Sequence, residues 1–438
     1  ASDVYKRQGP GGLARAARRE RMTDVSGDQP PLRLIADADG RDEYPIRDYL
    51  TRSGVPFLSI AVPAGSSSAG GVDLAGRRLP LVVLPRGGVL EDPTPEQVAS
   101  ALGWVHPPAR STYDLIIHGA GPAGLSAAVY AASEGLSVAV VERDAVGGQA
   151  GFSSLIENYL GFPGGVSGAE LAERARRQAV SFGADLVLMR HGVDRTFTDH
   201  DVRALLADGS EIHARAALCA TGVQWRRLDL PRARDLQGAG IYYGAGTSEA
   251  SACIGQHVYV VGGANSAGQA AMNLAAHAAH VTVLVRGPSL SSTMSAYLLN
   301  RLAVQPNVTI LVNTRVVAVD GDEHLQEITL DQAGTATRLP ATHLFVCIGG
   351  APNTEWAETT DVRLDTRGFL LTGVDLSPDD LYRWPLKRAP YYLETSVPGV
   401  FAAGDVRANS VKRVASAVGE GATAVTLIHR YLAEVTPL

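Results

Sequence analysis

The chain has 438 residues, of which 45% are hydrophobic and 19% charged, and its formal net charge is -6. This length is too great for one compact core and indicates two to four globular domains. The acidic balance gives no electrostatic basis for binding nucleic acid or anionic lipid, and no apolar run reaches the length of a membrane span.

The first thirty residues mix Arg, Gly, Ala and Asp without an apolar stretch. They contain no recognisable secretory signal, and we expect residues 1–30 to form a disordered tail. The three cysteines, Cys219, Cys253 and Cys347, lie far apart, so the sequence has no Cys-x-x-C motif and no zinc-ligand spacing, and no metal site is predicted. Few cysteines and no export signal favour a reducing, cytoplasmic location.

A first domain is predicted over residues 31–105. Strands are predicted for PLRLIA and VPFLSIAV, a helix between them for YPIRDYLTRSG, a flexible stretch for PAGSSSAGGVD, a hairpin for RRLPLVVLPRGGVLE, and a helix opened by Thr94 for TPEQVASALG. This order, with Pro80 before the third strand, resembles thioredoxin- and glutaredoxin-like domains. Their redox cysteines lie at the start of the first helix, where this chain has ADADGRDEYP. The resemblance therefore implies a docking or structural module without dithiol chemistry.

A complete strand–turn–helix–strand unit follows a linker at residues 106–112. In DLIIHGAGPAGLSAAVYAASEGLSVAVVERD, Gly119, Gly121 and Gly124 form a G-x-G-x-x-G turn. The first glycine makes the tight turn, the second lets the backbone approach a pyrophosphate, and the third lets helix and strand pack closely. The helix N-terminus attracts phosphate, and Glu142 ends the second strand where it can accept hydrogen bonds from a ribose. The unit predicts a dinucleotide site.

A second unit, HVYVVGGANSAGQAAMNLAAHAAHVTVLVRG, repeats this plan. Gly262, Ala264 and Ala267 take the three glycine positions, and the alanine in the middle crowds the pyrophosphate slightly. Arg286 stands where an acid would bind a ribose hydroxyl, and an arginine there favours the 2′-phosphate of NADPH over NADH. Alternatively, Arg286 is only a solvated charge at the end of the strand. The whole unit could also be a decayed site that binds no ligand.

A third segment, ETSVPGVFAAGDVRANSVKRVASAVGEGATAV, indicates a flavin. An apolar strand leads to Gly404 and Asp405. In flavoproteins an acid at this point hydrogen-bonds the ribityl chain. The helix that begins in VKRVASAVGEG can direct its N-terminal amides at the isoalloxazine carbonyl edge, where they stabilise negative charge on the reduced ring.

Seven motifs in this order resemble the thioredoxin-reductase-like branch of the flavoproteins with two dinucleotide-binding domains. They are GAGPAG, the GGQ of Gly147–Gln149, IENYLGFP, the ATG of Ala220–Gly222, VGGANSA, CIGGAPNT and GVFAAGD. The resemblance covers roughly residues 111–438. It implies an α/β fold with two Rossmann-like, three-layer ββα domains behind the thioredoxin-like α/β domain. The FAD domain is then discontinuous, over 111–226 and 347–438, the NADPH domain occupies 227–346, and the protein is a homodimer.

The residues predicted to bind FAD or NADPH belong to the glycine-rich turns and to positions that match the family motifs. They are Gly119, Gly121, Pro122, Ala123, Gly124, Glu142, Arg143, Gly148, Gln149, Asn158, Thr221, Gly222, Gly404, Asp405, Arg413, Val414, Ala415, Gly262, Gly263, Asn265, Ser266, Ala267, Arg286, Ile348 and Gly349.

The redox dithiol of thioredoxin reductases is missing from this sequence. Its two positions correspond to Ala245 and Ser248, and Cys253 lies five residues later. Cys253 is interpreted as a buried small residue rather than a lone redox thiol. The sequence thus predicts an FAD-dependent NADPH oxidoreductase whose acceptor meets the flavin directly, with small quinones, a ferredoxin-like protein and oxygen as candidates. The alternatives are a redox-inactive or sensory flavin-binding module and a thiol-disulfide reductase that uses a partner's dithiol.

Overall fold

The computed structural model describes residues 31–37, 42–197, 201–244 and 249–435. The chain divides into two compact units, one of residues up to 46 with 56–106, the other of residues 47–55 with those from 107 onward. Within the described ranges, no helix combines the length and the apolar character that crossing a bilayer requires.

The strands and helices of the N-terminal part follow one another in the order that the sequence predicts. They are β1 (Leu32–Asp37), α1 (Tyr44–Arg52), β2 (Phe57–Val62), β3 (Ser68–Ala69), β4 (Val72–Asp73), β5 (Leu81–Val83), β6 (Val89–Glu91) and α2 (Pro95–Ala101). Thr94 caps α2, since its Oγ1 accepts from the amide of Gln97 and the Gln97 side chain accepts from the amide of Thr94. This reciprocal pair is the capping box, and it confirms the predicted helix start.

The first unit is built on a four-stranded sheet in the order β2-β1-β5-β6. Strands β1 and β2 are parallel, and β5 is antiparallel to both β1 and β6. Ile35, Val62, Leu81 and Val83 form its buried core. The stretch predicted as flexible contains the short hairpin β3–β4 instead. Gly70 and Gly71 both have positive φ, the backbone that a two-residue hairpin turn requires.

The second unit contains two Rossmann-like sheets with helices packed on them, the first mixed and the second all-parallel, which confirms the predicted α/β class. The strands and helices of the first sheet are β7 (Thr112–His118), α3 (Pro122–Ser133), β8 (Val138–Glu142), α4 (Gly168–Phe182), β9 (Asp185–Leu188), β10 (Gly192–Phe197), β11 (Val202–Leu206) and β12 (Glu211–Cys219). The path runs β10-β11-β12-β7-β8-β9, with antiparallel pairing at the β10–β11–β12 end. The strand bounds around the first glycine turn agree with the prediction to within two residues.

The remaining elements build the second sheet and a separate three-stranded antiparallel sheet, and then return to the first sheet. They are β13 (Val223–Trp225), β14 (Ile241–Tyr243), β15 (His257–Val261), α5 (Asn265–Ala275), β16 (His280–Leu284), α6 (Ala296–Val304), β17 (Val308–Leu311), β18 (Thr314–Asp320), β19 (Glu327–Gln332), β20 (Thr335–Pro340), β21 (His343–Val346), β22 (Gly350–Pro352), β23 (Val400–Ala402) and α7 (Val414–Glu434). The second sheet has the order β14-β21-β15-β16-β17, and all its pairs are parallel. The three-stranded sheet has the order β18-β19-β20.

Two features make the first sheet discontinuous in sequence. Strand β23 pairs in parallel with β12, so residues near 400 complete a sheet that begins at residue 112. The chain leaves this sheet through β13 and comes back through β22, and these two strands pair with each other in antiparallel fashion. Helix α7 packs on α3, where Gly421 lets the two backbones approach: a Cβ there would lie 2.2 Å from the carbonyl oxygen of Ala123.

Candidate cofactor site

A cavity of about 660 Å³ opens where the first glycine turn, the start of α7 and the start of α5 face one another. Eighteen of the predicted cofactor-binding residues line it: Gly119, Gly121, Pro122, Ala123, Glu142, Arg143, Gly148, Gln149, Asn158, Thr221, Gly222, Gly404, Asp405, Arg413, Val414, Asn265, Ser266 and Gly349. The other seven lie outside its lining: Gly124, Ala415, Gly262, Gly263, Ala267, Arg286 and Ile348.

The glycines of the first turn have the separate mechanical roles that their spacing predicts. Gly119 has φ +106°, and a Cβ on it would lie 2.4 Å from the carbonyl oxygen of Ala220. A Cβ on Gly124 would lie 1.9 Å from the carbonyl oxygen of Gly119, so this glycine packs the helix on the strand and stays out of the cavity. Gly121 faces Gly148, and a Cβ on Gly121 would have the Gly148 Cα as its nearest neighbour, at 4.0 Å. That gap lets a phosphate approach the backbone.

Glu142 holds the first turn in place. One carboxylate oxygen accepts from the amide of Ala120 at 2.8 Å, and the other accepts from the amide of Asp144 at 2.9 Å. Burial raises the pKa of the Glu142 carboxyl, and these two amide donors oppose that rise. The predicted partner of a ribose therefore also fixes the loop around it, and each oxygen keeps a lone pair for a ligand hydroxyl.

A half-buried acid, Asp405, and an exposed cation, Lys412, meet at the third segment. Burial raises the pKa of Asp405, while the nearby Lys412 ammonium lowers it. Burial also lowers the pKa of Lys412, whose Nζ donates to the carbonyl of Asp405 and lies 4.4 Å from the centre of the Phe369 ring. Gly404, with φ +80°, donates its amide to Glu420 at 2.7 Å, which ties this turn to α7. Lys412 adds a positive charge to the cavity wall.

Two side-chain atoms in the cavity wall are buried without a hydrogen-bond partner among the described residues. They are Oε1 of Gln149 and Nε1 of Trp225. Buried polar atoms are normally paired, so unpaired atoms at a cavity indicate partners on a bound molecule. The Gln149 atom, together with the glycine gap and the free amides at the start of α3, fits an FAD: Gly119–Ala123 would hold its pyrophosphate, and Gln149 and Asp405 its flavin end.

The second turn reaches the same cavity with its first helical residues. Gly262 has φ +150°, and a Cβ there would lie 2.4 Å from the carbonyl oxygen of Cys347. Asn265 accepts from the amide of Ser295 at 2.7 Å, and Thr293 donates to the carbonyl of Gly263. Arg286 is exposed beyond the end of β16, away from the cavity lining. A dinucleotide on this turn would therefore have one end in the shared cavity.

Several cavity residues were not among the predicted site residues. They include Phe152, Trp225, Thr293, Tyr297, Asn353, Phe369 and Lys412. Two of them carried a sequence signal: Asn353 lies in the motif CIGGAPNT, and Lys412 is next to the predicted Arg413. The segment LSPDDLYRWPLKRAPYY, residues 376–392, lies outside this cavity's lining, and the indole of its Trp384 donates to the carbonyl of Arg388 at 2.7 Å.

All three cysteines are buried, and none lines the cavity. Burial raises the pKa of each thiol to about 12. Cys253 is fully shielded at the end of the short 3-10 helix Ala250–Cys253, and Cys347 donates to the carbonyl of Gly244 at 3.3 Å. The predicted dithiol positions, Ala245 and Ser248, lie outside the described residues.

Two dinucleotide-binding turns that share one cavity define a pyridine-nucleotide-dependent flavin oxidoreductase. The sequence model of the pyridine nucleotide-disulphide oxidoreductase family matches residues 113–421, and the chain belongs to this family.

Individual relatives agree with that assignment. The chain is 33% identical over 334 residues to the thioredoxin reductase of Mycolicibacterium smegmatis, an alignment that covers 74% of this chain and 98% of that protein. It is 30% identical over 326 residues to the NADH dehydrogenase of Bacillus subtilis (strain 168), covering 74% of this chain and 59% of that protein. The solved thioredoxin reductase of T. acidophilum has a TM-score of 0.66 at 27% identity and covers 75% of this chain and 100% of its own. Thioredoxin reductases bind FAD and NADPH, so the predicted cofactors are confirmed at the level of the family.

Proposed function

We propose that this chain passes two electrons from NADPH, through FAD, to an acceptor that meets the flavin directly instead of through a dithiol. The observation that carries the proposal is the burial of every thiol. Thiol chemistry requires a thiolate that can reach its partner. Cys219, Cys253 and Cys347 are buried, with pKa values raised to about 12, and lie outside the cavity lining.

Different residues of the cavity serve the two nucleotides in this proposal. When bound, FAD supplies the two-electron chemistry. The backbone of Gly119–Ala123 would hold its pyrophosphate, and the Lys412 ammonium, in the wall, would stabilise negative charge. Asn265 and Ser266, at the start of α5, line the same cavity and would hold part of the second nucleotide there. This arrangement of the two turns suits hydride transfer between the cofactors.

NADPH is the donor in this proposal because Arg286 follows β16, where a 2′-phosphate would be bound. The guanidinium is exposed, and no carboxylate pairs with it among the described residues. A free arginine at this point can form a bidentate contact with phosphate.

The N-terminal unit serves, in this proposal, as a thioredoxin-like docking or structural module. Its support is the sheet order β2-β1-β5-β6, with a parallel pair followed by an antiparallel hairpin. Residues 31–105 contain no cysteine. A homodimer in the cytoplasm, the assembly and location predicted from the sequence, completes the proposal.

The test is anaerobic stopped-flow mixing of the FAD-loaded protein with NADPH and, separately, with NADH. Fast loss of the visible flavin absorption with NADPH is the expected result, and no loss with either nucleotide would refute an oxidoreductase and favour the sensory module. Steady-state reduction of a quinone by Cys253→Ala then tests the thiol. Activity lost in this variant, with FAD content and folding intact, would contradict a direct route from flavin to acceptor.

A further inference from the structure

Trp225 occupies a particular place in the cavity wall. It ends β13 and lies opposite Gly350 in the two-stranded connection between the first sheet and the second sheet. Its indole lies edge-on to the ring of Phe152, with centroids 6.0 Å apart and an angle of 77° between the planes. Both residues line the cavity, so the two rings form an aromatic corner there.

The indole is held on a second side by backbone. A Cβ on Gly244 would lie 3.3 Å from Cζ2 of Trp225, so only glycine fits beside the ring without displacing it. Gly244 directly precedes Ala245, the first of the two positions that correspond to a dithiol. Trp225 is thus packed beside the glycine that precedes the dithiol positions in sequence.

The indole N–H is the polar group of this corner. Nε1 of Trp225 is buried and has no hydrogen-bond partner among the described residues. A buried Trp N–H normally has an acceptor, and a buried donor without one costs free energy. Tyr243, a further aromatic residue of the wall, is fixed by a hydrogen bond from the amide of Leu228 to its hydroxyl. The corner therefore offers the indole ring and its neutral N–H donor, beside the Arg52 guanidinium, which lies 4.6 Å from the centre of the Phe152 ring.

We infer that Trp225 positions the electron acceptor and that this acceptor is a quinone. The inference rests on the proposed function. A quinone is planar, so it stacks on or against aromatic rings, and its carbonyl oxygen accepts a hydrogen bond from the indole. A disulfide acceptor would need a thiol of this chain, and all three are buried.

The overall reaction balances without a further reactant. NADPH loses a hydride, which carries two electrons and one proton. The quinone takes up those two electrons, together with that proton and a second one from solvent. Its two C=O groups become C–OH groups, and NADP⁺ and a hydroquinone are the products.

The test compares Trp225→Phe and Trp225→Ala with a matched control, Trp384→Phe, whose indole lies outside the cavity lining. Menadione serves as the quinone and ferricyanide as an acceptor without a quinone ring. We expect Trp225→Phe to raise the KM for menadione about tenfold, because a single hydrogen bond is lost, and Trp225→Ala to raise it further. The rates of flavin reduction by NADPH and of ferricyanide reduction should stay within about twofold, and Trp384→Phe should match the wild type throughout.

Each contrary result has a separate meaning. An unchanged KM for menadione in both Trp225 variants would overturn the inference. A slower reduction of the flavin by NADPH, a shifted flavin spectrum or loss of FAD in Trp225→Phe would overturn it too, since the indole would then serve the cofactor. Failure of NADPH to reduce the flavin of the wild type would instead refute the proposed function, and the inference with it.

Discussion

Arg301 and Glu157 form an ion pair at the edge of the cavity, with 2.6 Å between a guanidinium nitrogen and a carboxylate oxygen. Arg301 lies on α6, among the elements of the second sheet, and Glu157 lies in the loop before α4, among the elements of the first sheet. Their neighbours Tyr297 and Asn158 both line the cavity. The pair therefore joins the parts of the chain that carry the two sheets.

Reversing one charge of this pair should slow the reduction of the flavin. Exposed ion pairs contribute about 0.2–1 kcal/mol, and like charges repel, so Glu157→Lys is expected to lower the rate with NADPH roughly two- to fivefold at low salt. Stopped-flow rates over a range of ionic strength measure this. The double variant Glu157→Lys/Arg301→Glu should recover the rate. Arg315→Glu, which breaks the exposed pair with Asp331 elsewhere in the chain, should leave it unchanged.

Two glycines of α7 should respond in opposite ways to alanine. A Cβ on Gly421 would lie 2.2 Å from the carbonyl oxygen of Ala123, whereas a Cβ on Gly419 meets nothing within 4 Å. Gly421→Ala is expected to destabilise the fold by about 1–3 kcal/mol or more and to release FAD, because α3 must move. Gly419→Ala should stabilise it by up to about 1 kcal/mol through helix propensity. Thermal unfolding gives both Tm values, and equal values would contradict the packing described for α3 and α7.

Replacing Arg286 should change the choice of donor. Arg286→Ala removes a charged contact to the 2′-phosphate, which contributes about 1.5–3 kcal/mol, so the KM for NADPH should rise at least about tenfold. The KM for NADH should stay near the wild-type value, because NADH has no such phosphate. Steady-state kinetics with each nucleotide measure the ratio, and Arg338→Ala, at another exposed arginine, serves as the control. Equal changes for both nucleotides would show that Arg286 does not read the phosphate.

The three thiols should not react with a thiol reagent in the native protein. All three are buried, with pKa values raised to about 12. Ellman's reagent at about pH 8 should therefore label no cysteine rapidly in the folded protein and all three after denaturation. Rapid labelling of one thiol in the native state, mapped to Cys253 by mass spectrometry, would contradict its burial and reopen a redox role.

His213 should make stability depend on pH. Its ring nitrogens lie 2.9 Å from a carboxylate oxygen of Asp201 and 2.7 Å from one of Glu211, and these hydrogen bonds raise the pKa of His213. A raised pKa means that the stabilisation is fully present below the unfolded pKa, about 6.5, and is lost as the pH rises through the folded value. His213→Gln should thus lower the free energy of unfolding at about pH 5.5 and change it little at about pH 9. Urea unfolding at both pH values measures this, and an equal loss at both would rule out titration as the cause.

The sequence predicted those parts of the site that depend on local spacing. The turn at Gly119–Gly124 and the strand that ends at Glu142 follow from residues within about 25 positions of one another, because turn, helix and strand form one βαβ unit. Phe152, Trp225, Tyr297 and Lys412 could not be predicted in this way. They come from four separate elements, and only the packing of those elements brings them to one cavity.

The hairpin β3–β4 shows the same limit on a smaller scale. The stretch PAGSSSAGGVD has the small and polar composition of a loop, and its one strand-forming residue, Val72, is buried against the sheet of the first unit. Composition favoured flexibility, whereas the paired glycines of the turn and one buried side chain decided the structure.

Because β13 pairs with β22 in antiparallel fashion, the chain enters and leaves the part that contains the second sheet at neighbouring positions. Trp225 and Gly350 stand opposite each other in this ribbon, so their Cα atoms are about 4.5–5.5 Å apart. A short turn could bridge that gap and replace residues 226–349 without shifting the register of any strand in the first sheet. Residues 226–349 are thus attached as an insertion that could be exchanged as one piece. The residues between these two strands, Arg286 among them, can therefore diverge while the first sheet and its glycine turn stay the same.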